Sequence, residues 1–227
     1  MGWTVRHVPV TGSTNADLLA AVEAGDVGDR TVLVADHQVA GRGRLDRRWD
    51  APAGTNLLVS LLFVDVPRTP AALTQRVGLA ALDAARAVLP GADVTLKWPN
   101  DLLLDGRKLA GILAQRSAST GAIVVGLGLN VGWAPDGAAR LGEDISVAHV
   151  LRETLVAFDA LGSDVAERYR RDLATLSSDV RVDLPDGSVL HGRATGVDDD
   201  GRLIVAANDG SIQHLDVGDV VHARHAD

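Results

Sequence analysis

Apolar and polar residues follow two different periods along this chain. Apolar positions that alternate, as at 3–8, or run together, as at 56–63, predict strands, whereas apolar positions three or four residues apart predict helices. Strands are predicted over 3–8, 30–36, 56–63, 94–97, 108–115 and 122–130, and helices over 14–24, 69–89, 147–161 and 164–176. The mixture predicts an α+β domain with a mixed sheet and flanking helices, not a helical bundle.

The segment 37–54 has no apolar period. It contains three glycines, one proline and four arginines, a composition that predicts a loop. Loops of this length inside compact domains are usually functional or disordered. We therefore expect part of a ligand site in this segment.

After Asp179 the pattern changes to short strand-like segments. They are separated by three Asp-Gly pairs, at 186–187, 200–201 and 209–210, and such pairs are strong hairpin signals. About five strands in so few residues predict a small barrel. We predict two domains, 1–177 and 178–227.

Composition excludes several classes of protein. Apolar residues make up 46% of the 227 residues and charged residues 23%, as in ordinary globular proteins. No apolar run approaches the roughly 20 residues of a membrane helix, and the first residues lack the features of a signal peptide. Cysteine is absent, which excludes disulfides, thiolate nucleophiles and zinc–thiolate sites and fits a cytoplasmic address. The net charge of −8 argues against general affinity for nucleic acid or anionic membranes.

Common nucleotide-binding and protease motifs are missing. Neither lysine follows a glycine, so there is no P-loop, and there is no H-E-x-x-H zinc motif. Gly126, Gly128 and Gly132 miss the G-x-G-x-x-G spacing by one residue. Any nucleotide chemistry must use another set of residues.

Lysine is almost absent from this chain. Of the 22 basic residues only Lys97 and Lys108 are lysines, eleven residues apart. A lysine is a compact point charge on a flexible stem, so two lysines in one segment point to a site that a guanidinium does not fit. Chance is the alternative explanation.

Three segments carry candidate chemistry. The loop 41–49 combines arginines, glycines and Trp49, which suits binding of phosphate or carboxylate; a solvated loop or a contact to single-stranded nucleic acid are the alternatives. Lys97 ends a predicted strand and would point into a pocket, or would pair with Asp101 at the surface. The glycines of 126–130 permit close approach of a ligand, or only tight strand packing.

Taken in chain order, these segments resemble the bacterial biotin protein ligases over essentially the whole chain. The matching segments are Ser13-Thr14-Asn15, 38–44 with Trp49, 97–101, 108–113 and 126–130. The resemblance implies a catalytic domain like that of class II aminoacyl-tRNA synthetases, followed by an SH3-like C-terminal domain. Asp46 departs from the family, which often has glycine there. Only twelve residues precede Ser13, so we expect the short form that lacks an N-terminal DNA-binding domain.

The resemblance also implies the reaction. Biotin and ATP form biotinyl-5′-AMP, and biotin is then transferred to a lysine of the biotin carboxyl carrier domain of a carboxylase. Such chemistry requires no enzyme nucleophile; it requires positive charge, positioning and exclusion of water. Mg²⁺ is expected with ATP, although the sequence indicates no metal ligands. No DNA or membrane partner is expected, and the oligomeric state stays open.

Residue roles follow from the same resemblance. Lys97 and Arg44 are the expected catalytic residues. The expected biotin-binding residues are Ser13, Thr14, Asn15, Gln38, Gly41, Arg42, Gly43, Arg44, Lys97 and Gly111. The expected residues for ATP and the adenylate are Arg42, Arg44, Trp49, Lys97 and Asn130. The role of Lys108 stays open; it could be structural or contact phosphate.

Two other functions remain as alternatives. A lipoate ligase would use the same fold, although the K-W-P-N-D and G-R-G-R segments favour biotin. A non-enzymatic RNA-binding module would use the arginine loop, but the net charge of −8 and the single tyrosine count against it.

Overall fold

The computed structural model describes residues 2–44, 47–64, 66, 70–216 and 219–222. In these residues the strands are β1 (Thr4–Thr11), β2 (Thr31–Gln38), β3 (Leu57–Phe63), β4 (Val94–Lys97), β5 (Asp101–Leu104), β6 (Arg107–Arg116), β7 (Ile123–Leu129), β8 (Asp179–Asp183), β9 (Val189–Val197), β10 (Leu203–Ala207), β11 (Ile212–Leu215) and β12 (Asp219–His222). The helices are α1 (Thr14–Glu23), α2 (Pro70–Val88), α3 (Val147–Ala160) and α4 (Val165–Arg171). Among the described residues, no helix has both the length and the apolar character needed to cross a bilayer.

Seven strands form the first sheet, in the order β1-β2-β3-β7-β6-β5-β4. β1 runs parallel to β2, and the remaining neighbours in this sheet are antiparallel, which makes it mixed. All seven residues of the central strand β3 are buried. A strand covered on both faces needs apolar residues at successive positions, which explains the unbroken apolar pattern of this segment.

Alternation along β3 and β7 separates the two faces of the sheet. Leu61 and Val125 belong to the large core that includes residues of α2 and α3. Their chain neighbours Leu62 and Val124 pack on the opposite face with Leu18 of α1. Side chains at even-numbered positions of these strands therefore point toward the α1 face, where the candidate site lies.

The second sheet contains five antiparallel strands in the order β11-β10-β9-β8-β12. The three predicted Asp-Gly turns are confirmed: Gly187, Gly201 and Gly210 have φ values of +84°, +84° and +88°. Glycine adopts this left-handed region without a steric penalty. Apolar residues of this sheet join the same large core as the first sheet.

One predicted helix is shorter in the structure. The sequence predicts a helix over 164–176, but α4 ends at Arg171. Leu96, on the edge strand β4, donates its N–H to the Asp172 carbonyl at 2.9 Å and accepts from the Ala174 N–H at 2.8 Å. These bonds pull the chain out of the helix and cover the edge of the sheet.

Two other differences concern the strands. β5 was not predicted, because its four residues follow the K-W-P-N turn and read as part of it. β2 extends through Gln38, two residues into the predicted loop. Thr69, the predicted first residue of the second helix, lies outside the described residues.

Candidate active site

A cavity of about 550 Å³ opens on the α1 face of the first sheet. Its walls come from the start of α1, the loop after β2, the turn between β4 and β5, and the strands β6 and β7. Among the described residues, six cationic side chains and three carboxylates line it: Arg42, Arg44, Arg47, Arg48, Lys97 and Lys108, with Asp50, Asp101 and Asp183. A positively lined cavity in a chain of net charge −8 is suited to an anionic ligand.

Polar groups form a network where α1 begins. Thr14 donates its backbone N–H to Gln38 Oε1 at 2.8 Å, and its hydroxyl lies 3.0 Å from the same oxygen. Behind Thr14, the fully buried Ser60 hydroxyl lies 2.7 Å from Thr14 Oγ1. Because Thr14 bonds to Oε1, the Gln38 amide is held in one orientation in the cavity wall.

Asn15 binds mainly to the protein itself. Its Nδ2 donates to the Leu113 carbonyl at 3.1 Å and to Gln115 Oε1 at 2.8 Å. Its Oδ1 accepts from Ser60 at 2.6 Å, and the side chain is 5% exposed. Asn15 therefore fastens the start of α1 to β6, and its expected contact with biotin stays a prediction.

The arginine loop closes on itself beside the cavity. Arg42 and Arg48 form an isolated antiparallel bridge, and Trp49 donates its N–H to the Gly41 carbonyl at 3.0 Å. A Cβ atom at Gly41 would overlap the Trp49 carbonyl. Glycine is needed there because the two backbone segments touch.

Glycines of β6 and β7 form the floor under Trp49. Gly111 pairs with Gly128 across the two strands. A Cβ at Gly128 would lie 2.5 Å from Trp49 Cε2, and one at Gly111 would lie 3.2 Å from Cζ3. Two residues earlier on the same face, a Cβ at Gly126 would overlap the Asn15 amide. The G-L-G-L pattern thus places Asn15 and Trp49 side by side directly on the sheet.

Both lysines of the chain line this cavity. Lys97 and Asp101 are register partners across the β4–β5 hairpin. Lys108 Nζ forms an ion pair with Asp101 Oδ1 at 2.7 Å and lies 5.8 Å from the Trp49 ring centroid. Only these two positions of the chain carry lysine, and both lie at one cavity. This favours a requirement for compact cations over the alternative explanation, chance.

Asn100 connects the arginine loop to the sheet. Its Oδ1 accepts from Arg44 Nη1 at 3.4 Å, and its Nδ2 donates to the Ile112 carbonyl at 2.8 Å. The backbone carbonyl of Asn100 also accepts from the Ile112 N–H at 2.8 Å. The turn after Lys97 is therefore the support on which Arg44 rests.

Asn130 lies at the end of β7 with both ends of its amide engaged. Its Oδ1 accepts from Asn56 Nδ2 at 3.2 Å, and its Nδ2 donates to the Ala139 carbonyl at 2.9 Å. The side chain is 2% exposed. These bonds hold the 130–142 segment against the cavity, and the expected contact with adenine stays a prediction.

The structure brings nearly all the residues singled out from the sequence to one cavity. Those that line it are Ser13, Thr14, Asn15, Gln38, Arg42, Gly43, Arg44, Trp49, Lys97, Gly111 and Asn130. Gly41 instead lies beneath the Trp49 backbone. Leu45 and Asp46, including the position that departs from the family, lie outside the described residues.

Two features of the site were not predicted from the sequence. One is Ser60, the single hydroxyl in the apolar run of β3. The sequence contained a signal for it, because a polar group in a strand covered on both faces must find a buried hydrogen-bond partner. The other is the Asp101–Lys108 pair, which joins two residues seven positions apart on different strands of a hairpin.

Comparisons with known proteins identify the family. The profile of the biotin/lipoate A/B protein ligase family matches residues 8–130, and that of the biotin protein ligase C-terminal domain matches residues 176–223. The biotin-[acetyl-CoA-carboxylase] ligase of Mycobacterium tuberculosis is 39% identical, over 98% of this chain and 91% of that protein. The chain belongs to the biotin/lipoate A/B protein ligase family.

Two further comparisons add a second relative and the fold. The biotin-[acetyl-CoA-carboxylase] ligase of Paracoccus denitrificans is 41% identical over 57% of this chain and 55% of that protein. The structure of Aquifex aeolicus biotin protein ligase in complex with biotin and ATP superposes with a TM-score of 0.79 at 24% identity, covering 97% of this chain and 99% of that one. The family and the α+β ligase fold predicted from the sequence are confirmed.

Proposed function

We propose that this protein is an ATP-dependent biotin ligase. It forms biotinyl-5′-AMP from biotin and ATP and transfers the biotinyl group to a specific lysine of a biotin carboxyl carrier domain. The observation that carries the proposal is a single cavity in which the Thr14–Gln38 network, the arginine loop and both lysines converge. Relatives named for this activity, one aligned over nearly the whole chain, support the choice of substrates.

The first step joins two anions. An oxygen of the biotin carboxylate attacks the α-phosphorus of ATP, a new P–O bond forms, and the bond to pyrophosphate breaks. Cations along the cavity wall reduce repulsion between carboxylate and phosphate and stabilise the charge that develops on the leaving group. Arg42, Arg44 and Lys97 are the residues that we assign to this task.

The second step is attack of the acceptor lysine amine on the acyl carbon of biotinyl-AMP. A C–N bond forms, the C–O bond to AMP breaks, and the amine loses a proton. A protein can speed this step by holding the intermediate away from water and orienting the amine. We assign Trp49, which lies on the glycine floor, to covering the adenylate.

The neutral end of the cavity suits the ureido ring of biotin. Ser13, Thr14 and Gln38 supply hydroxyl and amide groups there, oriented from behind by Ser60. Buried polar groups that match a ligand's donors and acceptors discriminate strongly against analogues that lack them. Asn15 and Asn130 hold the walls of the site through amides that are bonded to the protein, and their contacts with biotin and adenine remain part of the proposal.

Lys108 and Asp101 form a second charged pair in the same wall. Lys108 Nζ lies 5.8 Å from the centroid of the Trp49 ring, which we assign to the adenylate, and this proximity supports a contact with the phosphate. Asp101 compensates that charge at 2.7 Å. We assign Lys108 to phosphate binding, a role that the sequence left open.

Mg²⁺ is expected to enter with ATP. Within the described parts of the chain, no group of three or more potential metal ligands occurs. A nucleotide-bound Mg²⁺ needs only one or two carboxylates, because phosphates and waters complete its shell. Asp50, Asp101 and Asp183 line the cavity as separate carboxylates and fit that arrangement. The ion would neutralise phosphate charge.

The acceptor that we propose is the carrier domain of a biotin-dependent carboxylase, as the names of the relatives suggest. We place the reaction in the cytoplasm, where ATP is supplied. We also propose that residues 1–177 form the catalytic domain and 178–227 an SH3-like domain.

The test is isotope exchange between pyrophosphate and ATP in the purified protein. Exchange that requires biotin is the expected result, and lipoate in place of biotin should support little or none. If lipoate supports exchange as well as biotin does, the proposed function would change from biotin ligation to lipoate ligation. Absence of exchange with either acid would overturn the proposal.

A further inference from the structure

We propose that the β9–β10 turn of the second sheet positions Lys97 by holding its neighbour Trp98, an inference that rests on the proposed function. Trp98 is 2% exposed. Its indole Nε1 donates to the Gly201 carbonyl at 3.0 Å, a contact between residues 103 positions apart. Its backbone N–H donates to the buried Thr175 hydroxyl, also at 3.0 Å. Trp98 is thus fixed at both ends by segments outside the ligand cavity.

The turn residue whose carbonyl binds Trp98, Gly201, occupies a position where only glycine fits. Its φ of +84° belongs to the left-handed region, and a Cβ there would overlap Ala71 on the first turn of α2. Glycine therefore satisfies two demands, the hairpin turn and direct contact with α2. The turn is seated on the catalytic domain and does not hang free beside it.

The turn is also internally rigid. Asp198 Oδ1 accepts from the backbone N–H groups of Asp200 at 3.1 Å and Arg202 at 2.9 Å. Asp198 Oδ2 accepts from Arg202 Nε at 2.8 Å and lies 2.9 Å from His214 Nδ1. A carbonyl held in such a network has a fixed direction, so it restricts the indole that bonds to it.

A second cavity, of about 240 Å³, lies between this turn and α2. Arg44, Trp98 and Asn100 line both cavities and so form the partition between them. One side of the partition faces the ligand cavity, and the other faces Gly201 and Arg202. Because Lys97 and Trp98 share a peptide bond, a shift of the indole moves the ammonium that we assign to the reacting groups.

The direct test replaces Trp98 with phenylalanine, which removes the indole N–H and keeps an aromatic ring. Trp3→Phe is the matched control, because Trp3 Nε1 also donates one hydrogen bond, to Asp159 Oδ2 at 3.1 Å, and Trp3 packs on Phe63 away from the cavity. In biotin-dependent exchange, W98F should lower kcat roughly 10- to 100-fold, as expected of small misplacements of a reacting group. The KM for biotin should change less than about twofold, since the ureido contacts are untouched. W3F should exchange at the wild-type rate.

A spectroscopic readout separates positioning from general loss of stability. The chain contains only two lysines, so protein labelled with ¹³Cε-lysine gives two lysine signals, which Lys108→Arg assigns. The Lys97 signal should move in W98F and stay in place in W3F. A Lys97 signal at its wild-type position in folded W98F would overturn the inference.

Gly201→Ala tests the same contact from the second sheet and decides the matter if W98F does not fold. Its added Cβ should push the turn off Ala71 and lower kcat in the same way, with the same shift of the Lys97 signal. Exchange at the wild-type rate in W98F would overturn the inference and leave the proposed function intact. If W98F does not fold, exchange at the wild-type rate in folded G201A would have the same meaning. Absence of biotin-dependent exchange in the wild-type protein would overturn both.

Discussion

The two sheets differ in how their charged residues are used. Around the first sheet, arginines and both lysines converge on one cavity. The second region, 178–227, has ten aspartates, four arginines and no lysine, a net charge of −6. Of these aspartates, Asp183 lines that cavity, whereas Asp198 and Asp200 form ion pairs with Arg202 inside their own hairpin.

Most of the turn aspartates in the second sheet build the hairpins. Asp186 Oδ1 accepts from the Ser188 N–H at 2.9 Å and its hydroxyl at 2.6 Å. Asp209 bonds Ser211 in the same way, at 2.9 and 2.7 Å. In both cases the serine side-chain hydrogen bond is the main cause that lowers the pKa of the carboxyl. In the β9–β10 turn the acceptor is instead Asp198, at the first position of the turn, whose Oδ1 accepts from the N–H groups of Asp200 and Arg202.

The comparison shows that the number of charged residues in a region does not reveal what those residues do. Three of the ten aspartates of the second region accept turn N–H groups, a chemistry that favours aspartate because its side chain bonds the backbone two residues later. The cations that line the cavity come from a loop and from separate strands, and the tertiary fold brings them together. The following predictions test this contrast, from the largest expected effect to the smallest.

Lys97→Ala should reduce adenylate formation by about 10²- to 10³-fold, the usual loss when a preorganised charge aimed at developing negative charge is removed. Lys97→Arg should also fail, because a planar guanidinium is larger than an ammonium. Biotin-dependent pyrophosphate exchange measures both. Arg107→Ala is the matched control, since Arg107 is an exposed cation at the start of β6, on the neighbouring hairpin. Near-normal exchange in K97A would remove Lys97 from the reaction.

Gly128→Ala should raise the KM for ATP about tenfold, because the new Cβ would lie 2.5 Å from Trp49 Cε2 and overpacking of this kind costs about 1–3 kcal/mol. The KM for biotin should change less. Gly28→Ala is the control, since a Cβ at Gly28 meets nothing within 4 Å. Equal ATP affinity in G128A and G28A would show that Trp49 does not need the glycine floor.

Asp198→Asn should lower the free energy of unfolding at pH 7 by about 1.5–3 kcal/mol, the usual value of hydrogen bonds to a charged group. Burial alone would raise the pKa of Asp198, but hydrogen bonds from His214 and Arg202 outweigh it and lower the pKa from 3.8 to about 2. A lowered pKa means that the stabilisation is complete above about pH 4 and disappears as the pH falls through 2. Urea unfolding of both proteins from pH 7 to 2 should therefore show converging stabilities.

Asp199→Asn is the control for that experiment, because Asp199 is fully exposed and should cost little at any pH. A difference between wild type and D198N that does not shrink toward pH 2 would mean that the charge of Asp198 is not what stabilises the turn.

Biotin with ATP should slow proteolysis after Arg42, Arg44, Arg47 and Arg48 several-fold. Anions bound in the cavity should draw these guanidinium groups inward and shift the loop toward closed conformations. Arg44→Ala should weaken the protection and allow biotinyl-AMP to escape before transfer. Cleavage that is equally fast with and without ligands would show that the loop does not close.

Neutralising exposed acids of the second sheet should have the smallest effect. Asp186→Asn with Asp209→Asn keeps the turn acceptors and removes two charges, so any change in biotin transfer should be about twofold or less. It should vanish as salt rises, because exposed charges are screened beyond a Debye length. Asp136→Asn with Asp144→Asn removes equal charge from the first region as a control. A large loss of biotin transfer in the Asp186→Asn, Asp209→Asn protein, independent of salt and absent from the control, would indicate that the carrier domain docks on those turns by shape.

The sequence predicted the elements that depend on local pattern. β4 has the predicted bounds, 94–97, and the Asp-Gly turns lie where expected because their backbone conformation is decided within a few residues. The motif residues were found because their types are unusual for their surroundings, as with two lysines in a chain of arginines. Elements that depend on neighbours were missed, such as β5, whose four residues form a strand only between β4 and β6.

What the sequence by itself determined about this protein is the order of its strands and helices, its family and the chemical types gathered in its site. Only the tertiary structure decided that Asn15 and Asn130 bond the protein, that Asp101 pairs with Lys108, and that Trp98 reaches Gly201. The physical reason is that hydrogen bonds and ion pairs depend on distance and direction. Strand register and the docking of one sheet on another set those quantities, and neither is encoded in spacing along the chain.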